Sequence, residues 1–157
     1  MSLEQIPELA CACATVRRAA RVLTQLYAEE FDGQMEGTQF SLLALVNRKP
    51  GISQTAVASM LALDKTTLSR NLNLMKRRRW VTAIAGKDRR ERGLQITAEG
   101  LRLLEATRPS WQRAQDRLKK ALGGAEWKRM FEVADHVTRV AWQAQQPPAQ
   151  AKGNRAR

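Results

Sequence analysis

Asp64-Lys65-Thr66-Thr67-Leu68-Ser69-Arg70-Asn71, continuing to Lys76-Arg77-Arg78-Arg79, reads as a polar helix start running into a basic helix end. Trp80 to Ile84 is a short apolar run. Gly86-Lys87-Asp88-Arg89-Arg90-Glu91-Arg92-Gly93 is a charged loop bounded by glycines, and Leu94-Gln95-Ile96 alternates again. Helix, strand, charged hairpin, strand is the order of a winged helix-turn-helix. Small polar residues and an arginine at the start of one helix are what the reading of base edges and phosphates needs.

Working outward, Asp64 is placed to cap that helix and Ser53 to cap a shorter one before it, Gln54 to Leu61, with Ala62-Leu63 as the turn. Upstream, Thr38 is the expected N-cap of a helix through Phe40, Leu42, Leu43 and Val46, broken by Lys49-Pro50-Gly51. Residues 8–31 read as a helix whose seam is Leu9, Cys13, Val16, Ala20, Leu23 and Tyr27. Downstream, Thr97 caps a long helix over 98–122, with Pro109 expected to kink or split it. After Gly123-Gly124, residues 125–145 form a last helix with Trp127, Met130, Phe131, Ala134, Val137 and Ala141 on one face.

The expected fold is mainly α with a small β-wing: a winged helix-turn-helix over 38–97 and a connecting helix over 98–122, with dimerisation helices at 8–31 and 125–145. All belong to one domain over 1–145, followed by a basic tail at 146–157 expected to be disordered. A three-helix winged unit does not readily cover both terminal apolar stripes. Burying them within one chain and across a two-fold axis predicts a homodimer, whose symmetry suits a palindromic DNA site.

The net charge of the 157 residues is +12, and residues 64–93 hold ten lysines and arginines against three acids, a local +7. Such concentration is the footprint of a polyanion, here double-stranded DNA; the alternative is a generally basic surface. No apolar run approaches the roughly 18–20 residues that span a bilayer. Met1 to Pro7 carries Glu4 and no basic segment, so no secretory signal is expected there. Cys11 and Cys13 form neither a disulfide framework nor zinc-site spacing, which suits reduced thiols in a cytoplasmic protein without metal or other cofactor. His136 is the single histidine, and no convergent carboxylates or nucleophile stand out to carry a reaction, so no enzyme is expected.

The residues also match a known pattern. Thr38-Gln39-Phe40-Ser41-Leu42-Leu43 resembles the opening of the second helix of the multiple-antibiotic-resistance regulator (MarR) family. Leu63 to Leu72 resembles that family's recognition helix, and Asp88-x-Arg90 followed by Leu94-x-Ile96-Thr97-x-x-Gly100 resembles its wing. The resemblance covers roughly residues 8–145. It implies a dimer with one winged helix-turn-helix per chain, repressing genes and releasing DNA when a small ligand or an oxidant acts. It would put Lys65, Thr66, Thr67, Ser69 and Arg70 in or beside a major groove, and Arg89 and Arg90 at a minor groove. Asp88 would pair with a nearby arginine to hold the wing. The family commonly has glycine where Arg79 stands, so either the helix ends differently here or a phosphate contact offsets the strain.

Each candidate has a plainer reading. Arg70 is a base or phosphate contact, or a solvated arginine; Thr66, Thr67 and Ser69 beside it are poor helix formers with no packing role in view. The wing arginines enter a minor groove, or form a charged, solubilising turn. Tyr27, Phe31, Phe40 and Trp111 line a ligand cleft of the kind the family has, or are core. Cys11 and Cys13 sense oxidants, or are a surface thiol and a buried seam thiol; about 200° apart around the 8–31 helix, they cannot bond each other without unwinding it. The functional expectation is a small-ligand-released repressor. Its rivals are a thiol-based redox regulator and a non-specific architectural nucleic-acid-binding protein.

Overall fold

The computed structural model describes residues 10–85 and 92–145. The wing-tip residues Asp88, Arg89 and Arg90 and the tail from Gln146 lie outside these, as do the first nine residues. The chain falls into two compact units, Met1–Ala114 and Gln115–Arg157.

The first unit holds α1 (Ala12–Phe31), α2 (Gly37–Arg48), β1 (Ile52–Ser53), α3 (Gln54–Met60), α4 (Lys65–Arg77), β2 (Val81–Ala85) and β3 (Arg92–Ile96). The long helix α5 (Ala98–Leu122) begins in this unit and ends in the second. The three strands form an antiparallel sheet in the order β1-β3-β2. Val81 faces Ile96 and Ala85 faces Arg92, so β2 and β3 pair antiparallel along their length, while β1 adds Ile52 opposite Leu94. Gly93 is required by that third strand: a Cβ there would stand 2.7 Å from the carbonyl oxygen of Gly51.

The core is continuous through the winged part. Leu42, Leu43 and Val46 of α2 meet Val57 of α3, Leu68, Leu72 and Met75 of α4, Val81 and Leu94 of the hairpin, and Leu104 of α5. Burial of this apolar surface, at about 25 cal/mol per Å², is the main force that fixes α4 against its neighbours.

Three local expectations are corrected. Helix α2 starts before Thr38: Glu36 is its N-cap and forms a capping box with Gln39, whose side chain accepts from the Glu36 amide at 3.3 Å. Helix α1 starts at Ala12, with Cys11 as an extended N-cap (φ −121°, ψ 114°). Pro109 does not split α5, which runs unbroken past it. The carbonyl that loses its partner belongs to Glu105, and both residues are exposed, so water can satisfy it.

The second unit contains the end of α5 and α6 (Gly124–Ala144). Gly123, at φ +80°, makes the turn between them. Helix α6 has no buried residue. Phe131, Val133, Val137, Val140 and Trp142 are all exposed, and Trp127 meets Phe131 edge-on at 5.0 Å. No helix among the described residues is long and apolar enough to cross a membrane.

Candidate nucleic-acid interface

Helix α4 divides cleanly into two faces. Leu68, Leu72 and Met75 are buried, spaced four and three apart. Lys65, Thr66, Ser69, Arg70, Asn73 and Arg77 are exposed on the remaining surface. Four of the five helix residues singled out in the sequence thus stand together with their polar groups outward.

The fifth, Thr67, is half-buried and occupied. Asp64 accepts the Thr67 amide at 2.9 Å and the Thr67 hydroxyl at 2.6 Å, and the Asn71 side chain donates to the Thr67 carbonyl at 3.0 Å. Thr67 therefore completes the cap of α4. Its hydroxyl and amide hold the Asp64 carboxyl below the usual carboxylate range. Asn73 was missed in the sequence; it lies three residues after Arg70 and seven after Thr66, a spacing that puts it on the same face.

Both helices of the helix-turn-helix end alike. Leu63 donates to the Ala58 carbonyl at 2.9 Å and Ala62 to Ser59 at 3.3 Å; at the end of α4, Trp80 donates to Met75 at 2.8 Å and Arg79 to Lys76 at 3.0 Å. These are the paired bonds of a Schellman end, which needs a left-handed residue just past the cap. Ala62 (φ +49°) and Arg79 (φ +57°) fill those places.

The end of α4 is then tied to the start of α5. The Thr97 hydroxyl donates to the Arg79 and Trp80 carbonyls and accepts the Gly100 amide, while the Thr97 amide donates to the Trp80 carbonyl at 3.0 Å. A Cβ on Gly100 would lie 2.1 Å from that carbonyl oxygen, so only glycine admits the approach. The Arg78 guanidinium lies over the Trp80 ring, 5.0 Å from its centroid.

The other candidates lie elsewhere in the first unit. Tyr27, Phe31, Phe40 and Trp111 make one chain of ring contacts, with centroids 6.2, 5.4 and 5.8 Å apart. Phe31 is fully buried and the other three half-buried, so these rings occupy one another's space. Beside Trp111, Arg113 bridges Glu30 of α1 at 3.1 Å and the Ser110 hydroxyl at 2.9 Å.

Cys13, expected to be buried, is exposed together with Cys11. The seam that was to cover it is open in the single chain, where Val16 is 54% exposed. The 200° separation also lapses, because Cys11 precedes the helix. Both thiols border a groove of about 650 Å³ that Arg17, Arg18 and Arg21 help to line.

Comparison with known proteins decides the family. A profile of the MarR family matches residues 34–91. The M. tuberculosis transcriptional regulator MOSR, solved in complex with DNA, is 31% identical; the match covers 87% of this chain and 99% of that one, with a TM-score of 0.76. This chain belongs to the MarR family. Two further regulators share the fold: PcaV from Streptomyces coelicolor with its natural ligand (20% identity, 87% of this chain and 99% of that one, TM-score 0.76) and S. aureus MepR with DNA (19% identity, 84% and 99%, TM-score 0.68). No curated protein sequence matches this chain.

Against the MarR pattern, Arg79 stands out. The helix ends as it would with glycine, and arginine tolerates a backbone conformation that disfavours any Cβ by about 1 kcal/mol. The sequence left open whether the helix ended differently; it does not.

Proposed function

We propose that this MarR-family chain is a sequence-specific DNA-binding repressor that acts as a cytoplasmic homodimer on a palindromic operator and is released by a small ligand. One observation carries the reading: Lys65, Thr66, Ser69, Arg70 and Asn73 share the open face of a helix whose opposite face is locked into the core. Side chains on such a helix reach base edges without first giving up packing, and Arg70 supplies the planar fork that suits guanine. Arg89 and Arg90 are the candidates for the minor groove and Asp88 the candidate to hold them; they precede in sequence the exposed β3 residue Arg92. The apolar residues open on α6, and Val16 and Val22 open on α1, supply surface for a second copy. For the released state, the half-buried rings of Tyr27, Phe40 and Trp111 offer apolar walls to a small molecule.

A second reading of the signal, oxidation at Cys11 or Cys13, is favoured by the exposure of both thiols in the single chain, on the α1 surface that a second copy would meet. Gel-shift titration against a genome-selected fragment and against random duplex, at physiological salt, tests the main reading. Preference for the fragment by roughly 10³-fold or more supports a specific regulator. Equal affinity would make the chain an architectural DNA-binding protein. In the same assay, release by peroxide in the wild type but not in Cys11→Ser would transfer the switch to the thiols.

A further inference from the structure

We infer that Arg79 is a DNA-backbone contact, its guanidinium neutralising a phosphate beside the groove that α4 enters. The inference rests on the DNA-binding reading above. Arg79 holds a left-handed backbone that suits glycine, and every hydrogen bond that fixes it there comes from its main chain. Its side chain is exposed, so packing does not explain an arginine at this place. Strain retained at a surface position points to a function for the side chain that bears it.

Placement gives that function. Helix α4 has 13 residues and is about 20 Å long. The major groove is about 12 Å wide. A helix that enters by its N-terminal half, where Lys65, Thr66, Ser69 and Arg70 stand, brings its last turn to the phosphate wall. There Lys76 and Arg77 close the helix and Arg78 is engaged with Trp80, which leaves Arg79 one step further out. Because main-chain bonds and the Thr97 hydroxyl anchor its root on both sides, the guanidinium starts from a fixed point, and less is lost in ordering it on a phosphate. Complementing the carbonyl end of the helix would not need this residue, since Lys76 and Arg77 already lie in the last turn.

The test is fluorescence anisotropy of the full chain on its selected operator, across a salt series, for the wild type, Arg79→Gly and Arg79→Lys. Arg79→Gly should melt at a higher temperature, because the left-handed strain is gone. It should also bind about fivefold more weakly near 0.15 M salt, with a log–log salt slope shallower by about 0.9 per chain, as expected for one lost counterion release. Its preference for operator over random duplex should not change, and Arg79→Lys should keep the wild-type slope. An unchanged slope and affinity in Arg79→Gly would overturn the inference. So would a loss confined to the operator, which would make Arg79 a base reader. Absence of specific binding by the wild type is a separate outcome, and overturns the regulator reading itself.

Discussion

Helices α4 and α6 both carry apolar residues at helical spacing, yet they end in opposite conditions. Leu68, Leu72 and Met75 of α4 lie inside the winged core, Leu74 is half-buried, and the open face is polar. Helix α6 buries nothing, and its valines, Phe131 and Trp142 remain open. The same sequence pattern thus marks a helix covered by its own chain and a helix that the dimer proposed above would cover with a second copy. An exposed apolar area of this kind is the surface that the proposed second copy would bury.

The largest expected effects break that contrast directly. Leu72→Ala should destabilise the protein by about 2–5 kcal/mol through the cavity left in the winged core. The loss should be much the same at any protein concentration, as denaturant unfolding will show. Phe131→Ser should instead act through assembly: sedimentation should show a shift toward monomer, and wild-type melting should rise with concentration while the variant's does not. Equal, concentration-independent losses in both variants would erase the distinction between the helices.

Smaller effects sharpen the open face of α4. Arg70→Ala should weaken operator binding by about 1–3 kcal/mol and relax preference at one base pair per half-site. A loss uniform over all sequences would reassign Arg70 to the phosphates. The least effect concerns the cap. Because the Asp64 carboxyl is held below its ordinary value of 3.8, it adds stability above that pH, and the contribution is lost as the pH falls through the depressed value. Asp64→Asn keeps an N-cap oxygen but not this titration. Urea unfolding should therefore separate wild type from variant at pH 7 and bring them together in acid.

Much of this was legible in the residues. Ser53 and Asp64 announced their caps, since their short oxygens have few other uses before an apolar helical pattern. The Gly86 to Gly93 loop announced a hairpin, and the Leu68, Leu72, Met75 spacing told which side of α4 turns inward. What escaped notice depended on three-dimensional competition. Thr38 looked the better cap, but Glu36 takes that place because Gln39 returns the bond. The bond from the Thr67 hydroxyl to Asp64 was not foreseen, because it depends on how the cap closes. Cys13 looked buried because its seam was read with a cover that the single chain does not supply.

The joint at Gly100 sets how closely the chain leaving α4 meets α5. With the Trp80 carbonyl pressed into the space where a side chain would be, and the Thr97 hydroxyl bonded to the Arg79 and Trp80 carbonyls, the chain just past α4 is held directly against the first turn of α5. The two helices meet there as an elbow. In the DNA-bound dimer proposed above, a tilt of the first turn of α5 would carry α4 with it, so the reach between two half-sites would follow the start of α5.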